Sequence, residues 1–564
     1  MANKLRISKH CIDIAFDSQD AALLEQFHPI HYNKKKTIGT VSTRHLPEVL
    51  KVFRNIDVGN AHTLPDNLRE LYYKEIIARQ RIDDLLVNGP TKSPVVNEHL
   101  TLMRHQQLGR EISEVRDKYC FFFDTRTGKT PLSLSIMYDD LQRHPGHKWL
   151  VVCPLILIEN AWLPDAATFV PDLKIANCHA ATKAKRIAKI QDAAVNAQIL
   201  VTNTESFVTY REYFEKIGFE GCFVDESSSM KSNKSQQSKA LVDFAQTLNR
   251  FYLLSGTPAP NGEYEYFMQM RAVDYYSMPS SYTKFKEYYF VNASYNPQYE
   301  DLKLRPDKRD ELMNLIKKYA IYVDKEDVLT TPGRTFNEVT FDMPDALAKQ
   351  YRKLKREMYL EVGERDITAP TAAATINKLR QVSAGFIIDT QIVKENKFYG
   401  EDKESVVLLD MYRFDKLMDK LNEIGDEQVI IWANYHKEFE EIQRRLGDSC
   451  GCVYGAVSLE AKNDVLRRFK SGELQYLVAN PASADKGLTL TNCHICIYFS
   501  LNHSYELFKQ SMERIYGSIT KQPKHCEYYV FIANGAIDEA IYRDVLQGKS
   551  DASNAVLKHL KGAV

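Results

Sequence analysis

Nine short runs of apolar and aromatic residues, each followed by an amphipathic stretch, constrain this chain more than any other feature. Five come early: YCFFFD (119–124), WLVVCP (149–154), QILVTN (198–203), GCFVDE (221–226) and FYLLSG (251–256). Four come late: QVIIWA (428–433), YLVAN (476–480), ICIYFS (495–500) and EYYVFIA (527–533). A strand with one face in water alternates polar and apolar residues, so runs this uniform read as strands covered on both faces. Strands alternating with helices that cover them make a parallel, doubly wound sheet. The expected class is α/β, with two doubly wound parallel-sheet lobes, helical insertions and a small α+β domain at the N-terminus.

The stretches between the two sets mark the boundaries. Residues 1–75 read as a small accessory domain, 76–96 as a helix and linker, and 97–335 as the first lobe with a helical insert. Residues 336–404 carry three- and four-residue apolar spacing, as in LAKQYRKLKREMYLEV, and read as a helical linker or protrusion. Residues 405–564 form the second lobe. A chain of 564 residues has room for several cores, and 44% hydrophobic with 26% charged residues is the composition of a folded chain.

Charge and cysteine usage exclude some functions. Lys plus Arg (74) equals Asp plus Glu (74), so a grip on a polyanion must come from local patches rather than a net field. The ten cysteines are scattered and mostly embedded in apolar runs, where a thiol acts as a small hydrophobe. The pairs Cys450/Cys452 and Cys493/Cys496 match no zinc-finger or ribbon spacing. MANKLRISKHC lacks the apolar core of a secretion signal, and no stretch approaches eighteen uncharged apolar residues, so an intracellular protein is expected, neither secreted nor membrane-spanning.

Chemistry concentrates at the ends of the apolar runs. FDTRTGKT (123–130) follows one run and opens a helix, the arrangement in which backbone N–H groups at a helix start hold phosphate. Lys129 would reach the β- and γ-phosphates of ATP, and the Thr130 hydroxyl would ligate Mg²⁺. Phe123 stands where the first glycine of that motif belongs, and the bare GKT also reads as a solvated helix cap. GCFVDESSSMKS narrows the choice, because Asp225 and Glu226 end a strand of the same lobe. One carboxylate can hold Mg²⁺ and the next can orient or deprotonate the attacking water. In LLSGTPAPNG (253–262), Ser255 and Thr257 end another run within reach of such a site, or form a simple strand-to-turn exit.

Read in order, HQQ (105–107), FDTRTGKT, VVCPLILIENAW (151–162), ILVTNTESF (199–207), VDESSSMKS and LLSGTPAPNG resemble the first-lobe motifs of helicase superfamily two, in its Swi/Snf branch. KLRQVSAGF (378–386), VIIWANY (429–435), SADKGLTLT (483–491) and QSMERIYG (510–517) resemble its linker and second-lobe motifs, and SSYTKFKEYYF (280–290) and DKEDVLTTP (324–332) resemble segments between them. The resemblance implies two RecA-like lobes that hydrolyse ATP, with Mg²⁺, in the cleft between them and move along DNA. It places Gln106 on adenine; Arg126, Thr127, Gly128, Lys129 and Thr130 around the phosphates; Asp225 on Mg²⁺; and Glu226 on the water. Ser255 and Thr257 would couple hydrolysis to lobe movement. Gly487, Gln510 and Arg514 would face the nucleotide from the second lobe, and Pro154, Thr202 and Asn434 lie in segments lining the nucleic-acid track.

The chain departs from the family twice. The motif reads DEMGLGKT in the family, and Arg126 replaces its middle glycine; Gly517 replaces the second arginine of the last motif. Either Arg126 supplies in cis the guanidinium that Gly517 does not, or the loop has drifted neutrally. Residues 15–53 also resemble the small HARP-type module of annealing helicases and fork remodellers, with Gly39 near the place of its tryptophan. There Lys34, Lys35 and Lys36 read either as phosphate contacts or as solvated surface. The implied activity is a monomeric DNA translocase working on duplex or branched DNA beside replication or recombination proteins, in a bacterium or a phage-infected cell. Two other readings stand beside it: a strand-separating DNA or RNA helicase, and a nucleic-acid-binding scaffold with impaired hydrolysis.

Overall fold

The structure, a computed structural model, describes residues 4–7, 11–15, 30–32, 38–52, 66–293, 301–362, 365–368, 372–389, 406–483, 489–518, 520 and 522–548. It divides into two units, one ending at Val328 and the other starting at Leu329.

The first unit is built on seven strands in the order Ala320–Val323, Lys118–Phe123, Arg250–Leu254, Gly221–Val224, Trp149–Cys153, Ile199–Asn203 and Ile175–Asn177. Every neighbouring pair is parallel. The uniform runs are explained by cover on both faces. Cys120, Phe122, Leu150, Val152 and Leu253 enter one core, while Tyr119, Phe121, Val151, Phe223 and Tyr252 enter the other. Successive side chains of a strand point to opposite faces, so both faces of these strands are filled mainly by apolar and aromatic residues.

The second unit repeats the plan with six parallel strands, in the order Arg334–Phe341, Cys526–Ala533, Ile495–Tyr498, Val429–Trp432, Tyr476–Ala479 and Cys450–Val453. Its strands also divide between two cores, Val429, Ile431 and Phe531 on one side and Ile430, Trp432 and Val530 on the other. The stretch expected as a helical linker differs at its start. Residues 334–341 form a strand that pairs with Cys526–Ala533 over eight residues, so the second sheet begins well before residue 405. Helices Asp345–Glu357 and Ala372–Ser383 follow it. Cys450 and Cys452 lie in a strand, and all ten cysteines are free thiols, nine of them buried. Among the described residues no helix is long and apolar enough to cross a membrane.

The N-terminal piece is a four-stranded antiparallel sheet with the helix Leu46–Val52 against it. A single helix, Asp66–Asn88, then runs across the expected 75/76 boundary. Lys34, Lys35 and Lys36 lie outside the described residues. Polar groups tie this piece to the first sheet at the N-terminal ends of the strands. Ser42 bonds Asp274, the Arg44 guanidinium donates to the carbonyl of Lys118 at 2.8 Å, and Lys318 donates to Glu48 at 2.8 Å. Arg79 bridges Glu48 and Glu75, and Arg116 pairs with Glu75 at 2.6 Å. A cavity of about 400 Å³ between them is lined by Arg44, Glu75, Arg116 and Asp274.

His45 sits inside this junction, 3.2 Å from the Tyr319 hydroxyl. Burial, reinforced by Lys318, pushes its pKa from the ordinary 6.5 down to about 4. The folded chain therefore binds fewer protons than the unfolded chain between those values, and the stability present above pH 6.5 is lost as pH falls towards 4. The loss attributable to His45 is on the order of 3 kcal/mol. His45→Gln should melt with a shallower dependence on acid than the parent between pH 7.5 and 5. Parallel melting curves for the two proteins would remove His45 as the proton-binding group.

Candidate active site

The C-terminal ends of parallel strands collect functional groups because loops there can converge while the sheet stays rigid. Lys118–Phe123 runs into the loop 124–128, and Gly128 opens the helix Lys129–Arg143. Gly128 has φ +82°, and a β-carbon on it would collide with the Gln106 amide. The left-handed conformation favours glycine, and the Gln106 amide occupies the space a β-carbon would take. The loop is pinned from outside: His105 Nε2 lies 2.6 Å and Gln106 Nε2 3.0 Å from the carbonyl oxygen of Thr127. Burial lowers the His105 pKa, so the ring is neutral near pH 7, and only a proton on Nε2 makes that bond.

Lys129 folds back on the loop, donating to the carbonyls of Phe123 at 3.1 Å and Asp124 at 3.4 Å. Asp225 follows the strand Gly221–Val224, its N–H bonded to the Val152 carbonyl at 2.8 Å. Its carboxylate accepts from Trp162 Nε1 at 3.1 Å and from the Glu226 N–H at 3.0 Å. Burial pushes the Asp225 pKa up to about 6, the Glu226 charge adds to the rise, and the Lys129 ammonium opposes it. Lys129, Asp225 and Glu226 are thus electrostatic neighbours at one edge of the sheet. Thr130, in the first turn of the helix, is half-buried.

The 253–262 segment lies against the same loop. A β-carbon on Gly256 would stand 3.1 Å from the Thr125 nitrogen, and the Ser255 hydroxyl accepts from the Thr257 N–H at 3.1 Å. Buried Gln269 joins this segment to the acidic loop, accepting from the Ser227 hydroxyl at 2.9 Å and donating to the Pro258 carbonyl at 2.7 Å.

Other expected residues are placed less simply. Both ends of the Gln106 amide are engaged, since its oxygen also accepts from the Met103 N–H at 2.9 Å. Pro154 is half-exposed beside Leu155, which is 48% exposed. Thr202 is buried, and its hydroxyl has no hydrogen-bond partner among the described residues. In the second unit, the Asn434 side chain is turned inward. It donates to the Ser500 carbonyl and hydroxyl at 2.9 Å and accepts from Asn502 at 3.2 Å. Gln510 approaches Glu506 at 3.4 Å, and Arg514 is largely buried just past the helix Tyr505–Met512. Gly487 lies outside the described residues.

The sequence matches the SNF2-related domain over residues 31–384, more than half of the chain, and the helicase conserved C-terminal domain over 412–516. The chain belongs to the SNF2-related family. As a Swi/Snf-type member of helicase superfamily two it is an ATPase. It is 23% identical to protein p41 of Acyrthosiphon pisum secondary endosymbiont phage 1, over 70% of this chain and 84% of that protein. It is 24% identical to the DNA annealing helicase and endonuclease ZRANB3 of Bos taurus, over 82% of this chain but only 41% of that protein. The Sulfolobus solfataricus SWI2/SNF2 ATPase core solved in complex with dsDNA is 18% identical, with a TM-score of 0.37, covering 83% of this chain and 98% of that one.

Four residues to which the motifs assign no role also touch this candidate site, three of them inside quoted segments and Gln269 outside all of them. Trp162, Gln269, His105 and Lys325 reach the site across separations of 63, 42, 22 and 200 residues. Trp162 is the last residue of the quoted VVCPLILIENAW segment, and its tryptophan is the one signal that singles it out.

Proposed function

We propose that this SNF2-related ATPase is a DNA translocase that remodels branched DNA by branch migration or fork regression, in a bacterium or a phage-infected cell. The observation that carries the ATP-driven part of this reading is the electrostatic grouping of Lys129, Asp225 and Glu226 at the C-terminal ends of the first sheet's strands, with the 253–262 segment packed against the loop 124–128. The bovine relative is named a DNA annealing helicase, which supports DNA as the substrate, and the phage relative supports the setting.

In this reading the loop N–H groups and Lys129 bind the phosphates of ATP, replacing the contacts of Lys129 with the Phe123 and Asp124 carbonyls. Thr130 and Asp225 are hard oxygen donors of the kind that fit Mg²⁺, and a cation beside Asp225 would favour the charged carboxylate that burial disfavours. Bound Mg²⁺ would neutralise charge on the β- and γ-phosphates. Glu226 orients the attacking water and accepts its proton. Gln106 reads adenine and also holds the Thr127 carbonyl, so base recognition and loop shape share one side chain. Gln269 carries displacement of the acidic loop to Pro258, next to Thr257 and Ser255. Gln510, Arg514 and Gly487 act on the nucleotide from the second lobe. Pro154, Thr202, Asn434 and the lysines 34–36 are proposed along the DNA path, Asn434 through the loop it braces.

A steady-state ATPase panel with single-stranded DNA, duplex, forked DNA, a four-way junction and RNA tests this. Forked and four-way DNA should stimulate turnover most, with RNA inactive. Strongest stimulation by single strands would move the reading to a strand-separating helicase. No stimulation by any nucleic acid would leave the scaffold reading.

A further inference from the structure

Arg126 stands where the phosphate loop turns left-handed, with φ +64°. Among the described residues three non-glycine positions have positive φ: Arg126, Glu226 and Met358. Met358 ends the helix Asp345–Glu357, a place where left-handed residues are common. The other two occupy the two loops of the candidate active site. A side chain in this region is disfavoured by contact between its β-carbon and the following carbonyl, and it persists where the surroundings over-determine the backbone.

The surroundings here do that. Thr125, just before Arg126, has its N–H bonded to Asp124 Oδ1 at 2.8 Å and its hydroxyl 3.4 Å from the Nζ of Lys325, a lysine only 1% exposed. Thr127, just after it, has its carbonyl held by His105 and Gln106 and its own hydroxyl donating to the Asp124 carbonyl at 2.7 Å. Arg126 is therefore one residue between two pinned ones, and its left-handed turn is imposed. Glycine would adopt this turn freely. The chain instead carries a half-buried guanidinium three residues before Lys129, at the helix start where phosphate oxygens would lie.

We propose that Arg126 is a catalytic residue of the nucleotide site, its guanidinium contacting the terminal phosphate oxygens of a bound nucleoside triphosphate. In the step it serves, the water oxygen bonds to the γ-phosphorus as the bond to the β,γ-bridging oxygen breaks. The electron pair of that bond leaves with the diphosphate, and the water proton passes to Glu226. Arg126 stays protonated throughout and stabilises charge on the transferring group, as bidentate guanidinium contacts to phosphate do. The inference rests on the nucleotide-site reading above.

Two substitutions test it, with Lys129→Ala as the control for the site itself. Arg126→Gly removes the side chain and relieves the turn, while Arg126→Gln keeps the turn and removes the charge. Both should lower kcat by about 100-fold, the scale of losing one oriented donor to a developing anion. Relief of the turn and the added freedom of the unfolded chain oppose each other, so Arg126→Gly should melt no lower than the parent. Parental kcat in either variant overturns the inference, as does a drop of several degrees in the melting temperature of Arg126→Gly, which would mark a structural role. If Lys129→Ala also hydrolyses ATP at the parental rate, the nucleotide-site reading itself fails; if Lys129→Ala is dead and the Arg126 variants are not, only this inference does.

Discussion

Glu226→Gln is expected to lower ATP turnover by about 10²–10⁴-fold while leaving nucleotide binding intact. Glutamine keeps the length of the side chain, and the contact that fixes the residue is made by its backbone N–H to Asp225. The change also removes the negative charge that helps raise the Asp225 pKa. Asp225 then ionises more readily, so affinity for Mg·ATP should be kept or increased. Lys129→Ala should behave in the opposite way. It removes the cation that favours ionised Asp225 together with the donor proposed for the phosphates, so binding and turnover fail together. Single-turnover hydrolysis and titration with a fluorescent ATP analogue separate the two patterns. Near-parental turnover by Glu226→Gln would assign the water-activating role elsewhere.

Asp538→Ala should destabilise the second unit by about 3–5 kcal/mol, the usual cost of leaving one member of a buried ion pair uncompensated. Arg413 and Asp538 are 1% and 3% exposed, and their charged atoms meet at 2.6 Å. The same carboxylate accepts from the Ser383 hydroxyl at 2.7 Å. The guanidinium also donates to the Phe499 carbonyl at 2.8 Å and the Phe531 carbonyl at 3.0 Å, with the Phe341 and Phe499 rings beside it. One arginine therefore joins the helix Tyr412–Ile424 to the ends of two strands, and through Asp538 to the helix Ala372–Ser383. Replacing both charges, as Arg413→Met with Asp538→Ala, should cost less than the sum of the single changes. Denaturant unfolding of the three variants measures this, and additive losses would show that the two groups act independently.

All nine apolar runs proved to be sheet strands because burial on both faces leaves a composition that needs no partner to recognise. The strands without that mark were silent. Arg334–Phe341 is mostly exposed, carries Arg334 and Glu338, and pairs with a strand nearly two hundred residues away. Ile175–Asn177 is only three residues long, and Cys450–Val453 is a four-residue edge strand containing Gly451. The site divides in the same way. The grouping of Lys129, Asp225 and Glu226 in the candidate site was legible because their spacing from a strand end is itself the signal. Gln269 becomes visible only when the chain is folded, and Lys325, though inside a quoted segment, is distinguished only by its burial beside a distant loop. Gln106 and Asn434 show the converse: motifs pick them out, but their amides are already engaged within the protein.

The junction of the N-terminal sheet with the first lobe bears on how this enzyme can be dissected. Starting the chain just before its first quoted motif, HQQ at 105–107, would strip Arg116 of Glu75, Lys318 of Glu48 and Asp274 of Ser42. Three charged groups that now face partners would be left on the rim of the first lobe, beside the emptied footprint of the helix Asp66–Asn88. The N-terminal piece and the first lobe thus share one interface, and poor solubility of a trimmed form would report its loss rather than a defect in the ATPase site.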